Sequence, residues 1–183
     1  RRGASPRGLT AYQGLFTKSA RTFTGETLGD VKSGDKVLVL GGATLVGSYA
    51  IQLAKNAGAT VACTASTNKT SDGRTKMALC ESLGADVVID YKTSTWFETL
   101  AGQEYDMIFD CVGSNDDWVA SAKVLKKGGL FLSIANFAAD PAANEACVFK
   151  NFLLKSDGED LSELVADVEA GKLKVTFDST VQM

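Results

Sequence analysis

The short run Lys36-Val37-Leu38-Val39-Leu40, ending abruptly at Gly41-Gly42, limits what this chain can fold into more than any other feature. A brief, continuous apolar run closed by glycine suits a strand buried on both faces, as in a parallel sheet. Just after Gly42 the period changes: Val46, Tyr49, Ala50, Leu53 and Ala54 recur at helical spacing and stop at Asn56-Ala57-Gly58. A buried strand, a glycine turn and an amphipathic helix in immediate succession form one strand-to-helix unit.

The rhythm repeats. Further strands are expected at residues 60–64, 86–90, 105–110, 130–134 and 174–177. Helices are expected at residues 75–82, 96–101, 116–125 and 160–170, with an isolated helix at residues 8–22 ahead of the first strand. Alternating strands and helices imply a parallel sheet with right-handed crossovers and helices on both faces. Six strands in this rhythm predict an α/β, doubly wound Rossmann sheet with strand order 3-2-1-4-5-6.

Composition narrows the chemistry. At 183 residues the chain supports one domain with a full core. A net charge of −3 gives no attraction for nucleic acid or an anionic membrane, and no apolar run approaches a membrane span. The sequence contains no histidine, which removes the commonest general base and the commonest metal ligand together. Cys63, Cys80, Cys111 and Cys147 are widely spaced and lie in or beside apolar segments, so they are read as reduced core thiols. That favours the cytoplasm, or the mitochondrion if a targeting segment lies upstream. Chemistry must therefore rest on a cofactor or on residues elsewhere.

The turn Gly41-Gly42-Ala43-Thr44-Leu45-Val46-Gly47 is the candidate cofactor element. Glycines let a pyrophosphate approach the backbone, and the helix start offers free N–H groups and a positive dipole end. Gly42, Thr44, Leu45 and Val46 are its candidate contacts. The strict G-x-G-x-x-G pattern is absent, so the turn could also be a plain strand-to-helix connection. At the end of the second strand, Cys63-Thr64-Ala65-Ser66-Thr67 carries no carboxylate for a ribose 2′-hydroxyl, which turns the reading from NAD toward NADP.

Longer motifs extend the reading. Gly8-Leu9-Thr10-Ala11-Tyr12-Gln13, Val31-Lys32-Ser33-Gly34-Asp35-Lys36-Val37, Leu83-Gly84-Ala85-Asp86, Phe109-Asp110-Cys111-Val112-Gly113 and Asp157-Gly158-Glu159-Asp160-Leu161 occur in order. Together the chain resembles the zinc-independent quinone oxidoreductase and enone reductase branch of the medium-chain dehydrogenase/reductase superfamily. The resemblance implies an NADPH-dependent oxidoreductase that passes hydride to a quinone or an α,β-unsaturated carbonyl. It also implies a separate catalytic domain outside this chain, with residues 1–30 as leading helix and linker and residues 31–183 as the dinucleotide-binding domain. In zinc-type relatives a metal-binding cysteine precedes the helix that starts at Gly8; Arg7 stands there instead.

The resemblance also assigns roles. Ser66, Lys76 and Tyr91 match positions that meet the 2′-phosphate of NADP, with Lys69 and Arg74 nearby to help. Val112 and Gly113 fall beside the adenine ribose. Ile134, Ala135, Phe152, Leu153 and Thr10, with Tyr12, fall toward the nicotinamide. No catalytic acid or base and no metal ligand is assigned to the chain. The short-chain reductase alternative requires a tyrosine with lysine four residues later, which does not occur. Thr44 and Leu45 stand where the family has glycines, and leucine tolerates positive φ poorly. That leaves open a second function, a non-catalytic relative serving as a structural or assembly subunit. Relatives dimerise through the sheet edge, so a homodimer of the full-length protein is expected, with residues 132–137 and 174–177 at the edge.

Overall fold

A computed structural model describes residues 6–16, 28–155 and 158–174. The elements run α1 (Pro6–Phe16), β1 (Lys36–Leu40), α2 (Leu45–Asn56), β2 (Thr60–Ala65), α3 (Lys76–Ser82), β3 (Val87–Asp90), α4 (Trp96–Thr99), β4 (Tyr105–Asp110), α5 (Asn115–Ala120), β5 (Leu125–Ser133), β6 (Val148–Asn151) and α6 (Gly158–Glu169). All six strands pair in parallel, in the order β3-β2-β1-β4-β5-β6. The doubly wound order expected from the strand rhythm is the order observed.

Alternation along each strand divides the core into two layers. Val37 and Val39 of β1, Val61 and Cys63 of β2, and Met107 and Phe109 of β4 face a layer closed by α1, α2, α3 and Leu164 of α6. Leu38, Leu40, Ala62, Ile108 and Phe131 face the other way, onto Trp96, Leu100, Trp118 and Val124. The leading helix α1 is part of the first layer: Ala11 and Leu15 are fully buried there, and the helix packs against α2 and α6. Residues 17–22 of the expected leading helix lie outside the described residues.

Two parts of the second half differ from the sequence reading. The helix expected over 116–125 ends at Ala120, passes through a single 3₁₀ turn (Ser121–Lys123), and yields Leu125 to β5. Leu125 pairs with Tyr105 and Leu130 with Met107, so the intervening Lys126-Lys127-Gly128-Gly129 bulges out of the ladder. The sixth strand is Val148–Asn151, which pairs with Leu130 to Ser133. Of the expected strand at 174–177, only Lys174 lies within the described residues. Leu132 and Ser133 are therefore interior to the sheet, and among the described residues β6 is its outermost strand on that side.

Candidate dinucleotide cleft

A cleft of about 1180 Å³ opens at the carboxyl ends of β1, β2 and β3. This is where an open parallel sheet places a ligand, because connections to the two faces part there. Its floor is the turn from β1 into α2. Gly41 has φ +81°, a left-handed conformation that a side chain would strain. A Cβ on Gly47 would lie 2.3 Å from the Gly41 carbonyl oxygen, so the first helical turn sits directly on the glycine turn. The Gly41 N–H donates to the Thr64 hydroxyl at 2.9 Å and the Gly42 N–H to the Thr64 carbonyl at 2.9 Å, tying the turn to β2.

Thr44 has φ −71° and ψ 162° and caps α2; its hydroxyl accepts from the Gly47 N–H at 3.0 Å. The objection to leucine at this turn is removed by the backbone, since Glu104 is the one described non-glycine residue with positive φ. With Thr44 at the cap, the N–H groups of Leu45 and Val46 begin the helix without an acceptor among the described residues, and they carry the positive end of its dipole. Beside them, burial pushes the Cys111 thiol up to about 12, so it stays protonated and is no nucleophile.

Ser66 follows β2 on the cleft wall. It is 1% exposed, and its hydroxyl has no partner among the described residues. Lys76 opens α3, itself capped by the Thr75 hydroxyl, which accepts from the Ala78 N–H at 3.1 Å. The Lys76 ammonium forms no ion pair among the described residues, and Tyr91 after β3 is 56% exposed. All three line the cleft. Arg74 lines it too, but its Nε and Nη2 both donate to Oδ2 of Asp72, at 2.8 and 2.6 Å. That pairing keeps the Asp72 carboxyl below the usual carboxylate range.

Thr44, Leu45, Ser66, Lys76, Tyr91 and Val112 thus share one cleft. Gly42 lies beneath it, packed against Cys63 and Ile51, and Val46 is half-buried in the first turn of α2. Gly113 touches Ala135: a Cβ there would approach the Ala135 carbonyl oxygen to 2.9 Å. Their loops are joined through Asp110, fully buried, which accepts from the N–H groups of Val112 at 2.8 Å and Gly113 at 3.1 Å and from the Ser133 hydroxyl at 2.7 Å. Ile134 and Ala135 follow β5 at the same end of the sheet. Thr10, Phe152 and Leu153 do not line the cleft; the Thr10 hydroxyl donates to the Pro6 carbonyl in its own helix. The Tyr12 hydroxyl donates to Glu163 of α6, and burial with that carboxylate raises its pKa. Lys69 forms a bridge with Thr75 away from the cleft lining.

Several lining residues escaped the sequence reading. Lys92 donates to the Asn68 side-chain oxygen at 2.8 Å, and Thr93, Ser94 and Thr95 continue the wall into α4. Trp96 and Asp117 close the far end, the indole N–H donating to the carboxyl at 2.9 Å. Burial pushes the Asp117 carboxyl up, the indole bond pulls it back, and Asp110 and Asp116 push it further up. The polar loop from Tyr91 to Thr95 could have been flagged by position alone, since it follows the carboxyl end of a buried strand.

Comparison with known proteins agrees with this architecture. The family described as zinc-binding dehydrogenase matches residues 46–157. The chain is 39% identical over 171 residues to a 2-methylene-furan-3-one reductase of Solanum lycopersicum, covering 92% of this chain and 36% of the relative. It is 38% identical over 151 residues to a chloroplastic NADPH-dependent alkenal/one oxidoreductase of Arabidopsis thaliana, covering 81% of this chain and 34% of the relative. The chain thus spans about a third of the length of these curated relatives. A solved quinone oxidoreductase of Coxiella burnetii superposes with TM-score 0.73 at 30% identity, over 93% of this chain and 49% of that one. Among the described residues no group of three or more His, Cys, Asp or Glu is placed to hold a metal, and no helix is long and apolar enough to cross a membrane. A match over well more than half of the sequence, on a sheet of this order, establishes kinship: the chain belongs to the zinc-binding dehydrogenase family of the medium-chain dehydrogenase/reductase superfamily.

Proposed function

We propose that this chain is the cofactor-binding part of an NADPH-dependent reductase acting on a quinone or an α,β-unsaturated carbonyl. The observation that carries the reading is Ser66. A buried hydroxyl without a partner costs about 1–3 kcal/mol, and this one lies in the same cleft as Lys76, Tyr91 and the open N–H groups of α2. A ribose 2′-phosphate would satisfy that hydroxyl and the Lys76 ammonium together. The NAD alternative would ask for a carboxylate where β2 ends, and Ala65-Ser66 stands there.

In this reading Leu45 and Val46 hold the pyrophosphate through their backbone, and Ser66, Lys76 and Tyr91 hold the 2′-phosphate. Val112 and Gly113 border the adenine ribose. Ile134, Ala135, Phe152, Leu153 and Thr10 belong to the nicotinamide side. When bound, NADPH supplies a hydride to an electron-poor C=C or quinone, whose conjugation spreads the developing charge. The chain's own share is orientation and phosphate recognition, with no general acid or base. The names of the relatives, a furanone reductase, an alkenal/one oxidoreductase and a quinone oxidoreductase, support that substrate class. The non-catalytic alternative drew on Thr44 and Leu45, and the turn accommodates both without positive φ.

A homodimer of the full-length protein belongs to the same reading, through the sheet edge beside β6, the outermost described strand, and sedimentation of that protein tests it. A cytoplasmic location suits four free cysteines, and fractionation tests it. The cofactor assignment is tested by titrating the 183-residue chain with NADPH and NADH. NADPH is expected to bind tighter, and Lys76→Ala to cost about 1.5–3 kcal/mol of that binding. Equal affinities, or a Lys76→Ala variant with undiminished NADPH binding, would overturn the assignment.

A further inference from the structure

The far end of the cleft carries a feature that phosphate recognition does not use. Asp117, in the first turn of α5, lines the cleft with Oδ1 fixed by the Trp96 indole N–H at 2.9 Å. Its Oδ2 has no partner among the described residues. Trp96 is buried and held edge-on by Phe97, with ring centroids 5.5 Å apart, so the indole is not free to turn away. The carboxyl is thereby a one-sided group. One oxygen is committed to the protein, and the other is an acceptor for whatever occupies the cleft. Phe97 and the exposed Val112 line the same cleft and add apolar surface to it.

A planar base with an exocyclic amino group fits this end, its faces against apolar side chains and its amino hydrogens toward a carboxylate. We infer that Asp117 determines base specificity, selecting the 6-amino purine of the dinucleotide by accepting from its amino group through Oδ2. This rests on the dinucleotide reading above. A 6-oxo purine would set its carbonyl oxygen against the same carboxylate oxygen, two acceptors facing one another, and is selected against. Trp96 is a positioning residue: its N–H needs an acceptor, so it dictates which atom of residue 117 faces the cleft.

That constraint gives the test a direction. In Asp117→Asn the amide oxygen must serve the indole, which leaves the amide NH₂ facing the cleft as a donor. The variant then suits a 6-oxo base. The probes are NADPH and its deamino analogue, the reduced hypoxanthine dinucleotide phosphate, titrated against the wild-type chain and Asp117→Asn. Circular dichroism establishes that the near-isosteric variant is folded. Wild type is expected to bind NADPH at least about tenfold tighter than the deamino analogue, roughly the discrimination of one lost hydrogen bond to a charged group. In Asp117→Asn the ratio is expected to fall at least fivefold and to approach or cross unity. A wild-type ratio near one overturns the inference without any variant, and so does a variant ratio that falls less than fivefold. If neither cofactor binds the wild type, the dinucleotide reading itself fails, and the inference with it. If NADPH binds but the base goes unread, only the role of Asp117 fails.

Discussion

Two regions around the sheet treat their polar groups in opposite ways. Around β5 and β6 every buried polar side chain has an internal use. Asp110 gathers the N–H groups of Val112 and Gly113 and the Ser133 hydroxyl; Asn144 donates to the Ser121 hydroxyl at 3.0 Å; the buried Trp118 indole donates to the Asp140 carbonyl at 2.9 Å. Around the β1–α2 turn and the end of β2, the Leu45 and Val46 N–H groups and the Ser66 hydroxyl have no partner among the described residues. Unsatisfied buried groups are costly, so native structures keep few of them. The contrast separates a region whose polar groups bond one another from one that, under the proposed function, holds donors for a ligand.

The first way to break that contrast is to damage the satisfied region. Trp118 is 1% exposed and meets Phe131 and Phe149 edge-on at 5.5 and 5.1 Å. Trp118→Ala removes this aromatic junction and the bond to Asp140, and should cost about 3–5 kcal/mol in denaturant unfolding. The effect should be on stability; a folded variant that lost only cofactor affinity would erase the distinction between the regions.

A smaller stability effect with a larger binding effect is expected at Gly47. The Cβ of Gly47→Ala would meet the Gly41 carbonyl oxygen and the Thr44 hydroxyl, neither the end of a flexible chain. Relieving that contact should cost about 1–3 kcal/mol and pull the turn away from a bound pyrophosphate. NADPH titration alongside thermal unfolding reads both, and undiminished NADPH affinity would mean that the turn is no phosphate site.

The smallest effect concerns cofactor choice. Asp72 holds Arg74 on an exposed loop at the cleft rim, where an ion pair is weak. Asp72→Ala releases the guanidinium for a 2′-phosphate and should raise the NADPH-to-NADH affinity ratio a few-fold at most. A fall in the ratio would place Arg74 outside phosphate recognition.

The same two regions differ in how far the sequence revealed them. β1 to β4 are short apolar runs closed by glycine or a polar loop, so period and punctuation were enough to place them. β5 begins in Leu125-Lys126-Lys127-Gly128-Gly129, where lysines and glycines mask a strand that bulges as it starts. β6, Val148–Asn151, ends in polar Lys150-Asn151 and is the outermost described strand, and its strand character comes from pairing with β5. Of the site, the glycine turn was legible from local pattern, and Ser66, Lys76 and Tyr91 from family resemblance. Trp96 and Asp117 were not, because 21 residues separate them and only the crossover of the chain brings them together.

The most direct test of the account is a paired measurement on Ser66→Ala. If the Ser66 hydroxyl is held in reserve, its removal costs the free protein nothing, because it takes away a buried polar group that had no partner. The account predicts an unchanged or raised Tm without cofactor, together with NADPH affinity weakened about tenfold and NADH affinity unaltered. A lowered Tm with NADPH affinity intact would show the hydroxyl to be part of the scaffold, and would contradict the account.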